Sequence, residues 1–172
     1  TKHSVNRIEL KEKGVSTLDA RKVWFDTAVR RLNYDERGTY LGAFNGEDKI
    51  LTVMKSGHYK LTGIDLSTKF DDDMIRIEKW NPEKPISAVY FDPEKEEHFV
   101  KRFLGEDSDK PVLFISETPG SVLDLISLNW RPQALIKFDK RSNDREDEII
   151  DLEEFISVKG LKAQGNKLTK YK

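Results

Sequence analysis

Short segments in which apolar and polar residues alternate run along most of this chain and limit the folds that it can adopt. Alternation with a period of two places successive side chains on opposite faces of a β-strand. Glycine, proline, asparagine or aspartate interrupts the segments about every 8 to 12 residues, a spacing that is typical of all-β folds. The sequence therefore predicts about thirteen short strands, almost no helix, and a sandwich, barrel or propeller.

Hairpins are predicted where two strands flank a turn signal. In chain order they are Lys49 to Lys55 with His58 to Thr62, Ile86 to Asp92 with His98 to Phe103, Val112 to Glu117 with Ser121 to Ile126, and Phe155 to Lys159 with Asn166 to Tyr171. The other predicted strands are Arg7 to Leu10, Lys22 to Phe25, Thr39 to Phe44, Met74 to Lys79 and Ala134 to Asp139. One or two helical turns are expected only in Asp26 to Leu32, with Asp26 as the N-cap.

One pattern recurs in three segments: DKILTVMKSGHYKLT, KPVLFISETPGSVLDL and FISVKGLKAQGNKLT. Each has an apolar strand, a small or glycine-bearing turn, and a more polar return strand. Such self-similarity favours a repeat architecture over a sandwich, although the spacing from Gly57 to Gly120 to Gly160 is irregular.

Composition excludes several classes of protein and of site. A chain of 172 residues with 10% aromatic residues is long enough for a folded core, and we expect a single domain over residues 1–172. The absence of cysteine excludes disulfides, thiolate metal sites and a cysteine nucleophile. No apolar run approaches the roughly 20 residues that span a bilayer, and no signal peptide is recognisable. Because the first residue, Thr1, is not methionine, we expect a fragment of a longer protein.

Charge is segregated along the chain. The net charge is -1, whereas nucleic-acid-binding domains are usually basic. Acidic residues dominate Asp139 to Glu154, but the next segment, Phe155 to Lys172, contains lysine and no acidic residue. This order allows a basic face on a nearly neutral molecule. Gly160 and Gly165 allow positive φ or the close approach of another backbone, so that bare N–H groups and lysines can together reach a phosphate.

No catalytic or metal-binding pattern is present in the sequence. His3, His58 and His98 have no ligand-like spacing and are expected to be partly exposed strand residues. Asp71 to Asp73 lacks the spaced acids and glycine of a calcium loop and is expected to be a solvated turn. Glycine-rich phosphate loops, nucleophile elbows and paired catalytic acids are also absent. The tryptophans, expected in the core or between blades, are Trp24, Trp80 and Trp130.

Basic residues recur at corresponding places on the predicted hairpins, which favours a phosphate-binding surface over a salt-bridged β surface. Phosphate neutralisation needs several cations along one curved surface, and such contacts do not read bases. The candidate DNA-binding residues are Arg30, Arg31, Lys55, Lys60, Lys101, Arg102, Lys159, Lys162, Lys167 and Lys170.

A resemblance to a known family is carried by RKVWFD (Arg21 to Asp26), RRLN (Arg30 to Asn33), GTYLGAF (Gly38 to Phe44), DKILTVMKSGHYKLT (Asp48 to Thr62), VKRF (Val100 to Phe103) and KGLKAQGNKL (Lys159 to Leu168). These segments resemble the C-terminal domain of the DNA topoisomerase IV A protein of the Bacteroidetes type, in the gyrase A and topoisomerase IV A family. The Gln-Arg-Arg-Gly-Gly-Lys-Gly box of the gyrase branch has no match here, which favours topoisomerase IV and argues against strong DNA wrapping.

The resemblance implies an all-β fold of the β-pinwheel type, a propeller-like disc of four-stranded blades around whose basic rim DNA bends. At four strands a blade, thirteen strands make about three blades. A full disc of this family has about five or six, so the chain is expected to be part of a larger disc.

The resemblance also implies a function. It predicts a non-catalytic domain of an ATP-dependent type IIA topoisomerase that binds and bends double-stranded DNA and presents it for strand passage in decatenation and supercoil relaxation. The parent would use ATP and Mg²⁺, form a dimer of topoisomerase IV A proteins together with the topoisomerase IV B protein, and serve chromosome segregation at the nucleoid in the bacterial cytoplasm. From the residues alone, two alternatives stay open: a propeller-like protein-interaction module that docks through the acidic stretch Asp139 to Glu154, or an inert structural array.

Overall fold

The computed structural model describes residues 20–137 and 146–168. In that part of the chain, thirteen strands and one short helix form two compact units. Unit 1 contains residues 20–55, 59–80 and 108–111, and unit 2 contains residues 56–58, 81–107, 112–137 and 146–168. None of the helical structure described is long and apolar enough to cross a membrane. The all-β class is confirmed, and a single domain over residues 1–172 stays a prediction.

Unit 1 begins with a three-stranded antiparallel sheet in the order β2-β1-β3. The strands are β1 (Arg21–Asp26), β2 (Arg31–Asn33) and β3 (Thr39–Phe44). The helical turns predicted for Asp26 to Leu32 are wrong, because a tight turn joins β1 to β2 there. The Asp26 carboxylate does accept a hydrogen bond from the Ala28 N–H at 2.9 Å. Arg30 then takes a left-handed φ of 55°, which ends the turn before a helix can form.

The other strands of unit 1 are β4 (Ile50–Met54), β5 (His58–Thr62) and β6 (Met74–Lys79), with β4 between β6 and β5. His58, the first residue of β5, belongs to unit 2. Val53 of β4 lies opposite Tyr59 on one side and Arg76 on the other. Because β4 has a neighbour on each edge and is covered on both faces, all of its residues are buried. The predicted hairpin of β4 and β5 is confirmed.

The core of unit 1 joins these strands. Its buried cluster consists of Val23, Phe25, Leu32, Phe44 and Ile50. Phe70, from the segment before β6, packs edge-on against Phe25 with ring centroids 5.3 Å apart. Burial of each large side chain contributes about 1.5 to 3 kcal/mol, so this cluster stabilises the segments of unit 1 that carry candidate site residues.

Unit 2 contains a four-stranded antiparallel sheet in the order β10-β7-β8-β13. Its strands are β7 (Ile86–Asp92), β8 (Glu97–Phe103), β10 (Val122–Ser127) and β13 (Asn166–Lys167). The predicted hairpin of β7 and β8 is confirmed, with Val89 opposite Val100. A four-stranded antiparallel sheet is compatible with a blade of a pinwheel.

The hairpin predicted for Val112 to Glu117 and Ser121 to Ile126 is wrong. β9 (Val112–Leu113) is short, and β10 pairs with β7 instead, where Leu125 lies opposite Val89. After β9 the Ser116 hydroxyl accepts a hydrogen bond from the Thr118 N–H at 3.2 Å. This local bond stabilises a turn rather than a strand ladder.

The described part of the acidic stretch, residues 146–154, contributes secondary structure to unit 2. It contains β12 (Glu148–Asp151), which pairs with β11 (Gln133–Ile136), and most of α1 (Leu152–Phe155). The Asp151 carboxylate caps α1 by accepting a hydrogen bond from the Glu153 N–H at 3.0 Å. Leu152 and Ile156 are buried in a core cluster of unit 2. The predicted strand Arg7 to Leu10 lies outside the described residues.

The C-terminal hairpin predicted for Phe155 to Lys159 and Asn166 to Tyr171 is wrong. Over the described residues 155–159 and 166–168, its two arms do not pair with each other. Lys159 of the first arm bridges to β8, and the second arm pairs with β8 as β13. The Lys159 N–H donates to the Arg102 carbonyl at 2.9 Å in a parallel bridge. β13 runs antiparallel to β8, with Asn166 opposite Val100.

Gly165 makes this arrangement possible. Its φ is +92°, and a Cβ at this position would overlap the Val100 carbonyl oxygen. Only glycine combines that backbone conformation with so close an approach. Gly160 has no such constraint, since nothing lies within 4 Å of the place where its Cβ would be.

Replacing Gly165 with alanine is expected to lower the free energy of unfolding by about 1 to 3 kcal/mol, because the new Cβ must push the chain away from β8. Chemical denaturation followed by circular dichroism measures this change. The matched control is Gly160→Ala, expected to change stability by less than about 0.5 kcal/mol. Equal destabilisation by the two variants would contradict this account of β13.

Candidate nucleic-acid interface

Three of the predicted DNA-binding lysines lie in one exposed loop of unit 2, residues 159–167, here termed the lysine loop. Lys159, Lys162 and Lys167 are all exposed. The two ends of the loop are both hydrogen-bonded to β8. A single strand therefore fixes both ends of a short loop that carries three ammonium groups.

The three lysines differ in how their charges are balanced. The Lys167 ammonium lies 2.9 and 2.8 Å from the two carboxylate oxygens of Glu97. The Lys159 ammonium donates to the neutral side-chain oxygen of Asn166 at 3.1 Å. Lys162 makes no ion pair with any residue in 20–137 or 146–168. Lys159 and Lys162 thus present positive charge that no described carboxylate neutralises.

A second basic group, Lys60 and Arg30 of unit 1, contacts Asp71 in the acidic segment 71–73, here termed the Asp71 turn. The Lys60 ammonium of β5 is 2.5 Å from the Asp71 carboxylate. The Arg30 guanidinium, from the turn between β1 and β2, donates to the Asp71 main-chain carbonyl. The structure therefore brings together two predicted residues that are far apart in the sequence.

Lys55 and Arg31 complete the candidates of unit 1. The Lys55 N–H donates to the Asp73 carbonyl at 2.8 Å, and its side chain is exposed. Arg31 is the exposed first residue of β2. The Asp71 turn is solvent-exposed as predicted, and its additional role in binding basic side chains could not be read from the sequence.

Lys101 and Arg102 lie inside unit 2 and not on its surface. Both are buried, with exposed fractions of 5% and 6%. The Lys101 ammonium donates to the carbonyls of Phe114 and Leu161, each at 2.6 Å. The Arg102 guanidinium donates to the Trp130 carbonyl at 2.7 Å. These cations cross-link segments of unit 2, so a phosphate cannot reach them without displacing main-chain partners.

The burial of two adjacent residues follows from the position of β8. This strand lies between β7 and β13, and every residue from 99 to 103 is buried. A strand covered on both faces has no outward side, so alternation does not identify a solvent-facing residue. Lys170, the last candidate, lies outside the described residues.

Lys101 also borders a cavity of about 580 Å³ in unit 2. The cavity is lined by Tyr90 and by residues from 112–118 and 161–164. Burial lowers the pKa of Lys101 to about 8. The Tyr90 hydroxyl donates to the Gln164 carbonyl at 2.7 Å, and burial is the main cause that raises the pKa of Tyr90 to about 12. The Lys101 ammonium and the Tyr90 hydroxyl thus both hold the lysine loop against the sheet, by hydrogen bonds to its main-chain carbonyls.

The histidines and Trp130 are other residues considered in the sequence analysis. His58 is half-buried, and the exposed His98 lies 2.9 Å from an Asp124 carboxylate oxygen. Trp130 is 54% exposed and so does not lie in the core, and its alternative place between blades stays a prediction. The described residues contain no group of three histidine, aspartate or glutamate side chains that could hold a metal ion.

Comparison with known proteins identifies one family. The family model described as the topoisomerase C-terminal domain of Bacteroidota matches residues 31–172. No curated protein and no solved structure matches the chain. The lysine loop and the Asp71 turn both lie within the matched residues.

Replacing Lys101 with methionine is expected to change the pH dependence of stability. Burial lowers the folded pKa of Lys101 from 10.5 to about 8. Between these values the unfolded chain holds a proton that the folded chain has lost, so the lysine makes stability rise with pH. The free energy of unfolding of the wild type, relative to Lys101→Met, should rise by about 1 to 2 kcal/mol from pH 8 to pH 10. Urea unfolding at several pH values measures this difference, and a constant difference would contradict the prediction.

Proposed function

Because the chain belongs to the family of Bacteroidota topoisomerase C-terminal domains, we propose that it binds double-stranded DNA without sequence preference. The observation that carries the proposal is the lysine loop, in which Lys159, Lys162 and Lys167 are exposed between two attachments to one strand. Lysine ammonium groups bind phosphate oxygens and release counterions, which makes affinity depend on salt rather than on base sequence.

The proposed contact set is smaller than the set predicted from the sequence. It comprises Lys159, Lys162 and Lys167 in unit 2, and Arg31, Lys55 and Lys60 in unit 1. Lys101 and Arg102 are left out because their charged ends are buried on main-chain carbonyls. Arg30 is a secondary member, since its guanidinium already donates to Asp71.

In the parent enzyme this domain would bend duplex DNA and present it for strand passage, in decatenation and supercoil relaxation. ATP hydrolysis and Mg²⁺ chemistry would belong to other parts of that enzyme, a dimer of topoisomerase IV A proteins together with the topoisomerase IV B protein. The setting would be the bacterial nucleoid, where strand passage serves chromosome segregation. The charges of the lysine loop support the DNA-binding step alone, and the later steps rest on membership of the family.

A second candidate function is docking of a protein on the acidic segment. One observation favours it: Leu135 of β11 and Ile149 of β12 lie opposite each other and are 51% and 71% exposed. An exposed apolar pair beside acidic residues suits a basic peptide with an apolar anchor. Salt-sensitive binding to duplex would favour the first function, and its absence would favour the second.

Charge reversal in the lysine loop is expected to weaken duplex binding. A labelled duplex of arbitrary sequence is titrated at about 50 to about 200 mM salt with the wild type and with the triple variant Lys159→Glu, Lys162→Glu, Lys167→Glu. The affinity of the triple variant should fall at least about tenfold, and the slope of log K against log salt should flatten by up to about 2.7, which is about 0.9 for each lost phosphate contact. Unchanged affinity would rule out the lysine loop as the contact.

A matched pair of single variants separates local contact from net charge. Lys162→Glu and Arg131→Glu change the charge equally, but Arg131 lies outside the lysine loop and pairs with Glu153 at 2.6 Å. Lys162→Glu should weaken binding several-fold more than Arg131→Glu does. Equal losses would show that only the overall charge matters.

A further inference from the structure

Two lysines of the proposed contact set are already paired with carboxylates. In unit 1 the Lys60 ammonium lies 2.5 Å from an Asp71 oxygen, and in unit 2 the Lys167 ammonium contacts both oxygens of Glu97 at 2.9 and 2.8 Å. Water reaches both pairs, since the two lysine side chains are 35% and 61% exposed. A phosphate can therefore take over either ammonium only by displacing a carboxylate.

Carboxylate and phosphate compete on similar terms. Both present anionic oxygens to the same ammonium donors. Exposed ion pairs are weak, so a phosphate backbone can displace a carboxylate, but the exchange reduces the gain from each contact. It also changes the counterion balance, because a lysine already paired with a carboxylate releases fewer ions when DNA arrives.

On the basis of the proposed function, we propose that Asp71 and Glu97 are internal competitors for DNA phosphate, one in each basic group. Each holds a lysine, Lys60 or Lys167, while no duplex is bound, and each lowers the affinity for duplex. The carboxylates thereby set how readily this domain releases DNA, which is needed if a bound duplex is to be passed on. A lower affinity at a given interface is expressed mainly as a faster dissociation rate.

The competition is confined to these two lysines among the described candidates. Lys159 contacts a neutral amide, and Lys162 has no carboxylate partner in residues 20–137 or 146–168. Arg30 donates to the Asp71 main-chain carbonyl, which a change of the Asp71 side chain leaves in place. Each basic group therefore combines cations that are free for phosphate with one that must be exchanged.

The test removes each carboxylate charge without changing side-chain shape. Asp71→Asn and Glu97→Gln are each expected to tighten binding of a labelled arbitrary duplex about threefold to tenfold at about 50 mM salt. Each should also steepen the slope of log K against log salt by up to about 0.9, because an ammonium that is not paired with a carboxylate releases more counterions when it binds a phosphate. The double variant should show the sum of the two slope changes.

Neighbouring acids provide matched controls. Asp72 and Glu96 are exposed, lie next to Asp71 and Glu97, and make no ion pair within the part of the chain that the structure describes. Asp72→Asn and Glu96→Gln remove the same charge from the positions adjacent to Asp71 and Glu97. They are expected to change affinity less than about twofold and to leave the slope unchanged.

The outcomes separate this inference from the proposed function. The wild type could bind duplex in a salt-dependent way while each test variant has the same effect as its control. That result, Asp71→Asn equal to Asp72→Asn and Glu97→Gln equal to Glu96→Gln, would overturn the competition and keep DNA binding. No binding by the wild type together with binding by Asp71→Asn or Glu97→Gln would support the competition. No binding by any variant at about 50 mM salt would overturn both.

Discussion

The lysine loop depends on the close approach of Gly165 to β8. Because Gly165 has no Cβ and a φ of +92°, the chain can pass the Val100 carbonyl and continue into β13. The other end of the loop is held where the Lys159 N–H donates to the Arg102 carbonyl. A loop fixed at both ends loses its conformational freedom during folding, so that less is lost when its lysines bind an anion.

The positions of the strands could be predicted from the sequence, but many of their partners could not. Alternation is a local signal, and it located β1, β3, β6, β7 and β8 to within about one residue at either end. Pairing depends on residues far apart in the chain: β10 joins β7, and Lys159 and β13, from the two arms of the predicted C-terminal hairpin, both join β8. A turn signal such as Gly160 permits a hairpin, and the burial of neighbouring strands decides whether one forms.

The candidate site could be predicted only in part, because the exposure of a side chain, like the pairing of a strand, depends on residues far away in the chain. Lysines between glycines in a polar segment are exposed in most folds, and the lysine loop follows that rule. Lys101 and Arg102 carry the same charge, but they lie on a strand that is covered on both faces. Most of their partners are main-chain carbonyls, of Phe114, Leu161 and Trp130, and every residue supplies such a group. Arg102 also donates to the Ser87 hydroxyl at 3.2 Å. No side-chain pattern could reveal the bonds to main-chain carbonyls.

A net charge of -1 does not argue against phosphate binding, because charges act over short distances in salt solution. At physiological ionic strength, interactions between exposed charges fade over about 8 to 10 Å. An acid matters for a phosphate contact mainly if it lies beside the cation that makes the contact, as Asp71 and Glu97 do. Glu153, which pairs with Arg131, contributes equally to the total charge but not to either basic group. Under the proposed function, the pairing of individual charges, which composition does not record, would therefore determine how strongly this domain holds DNA.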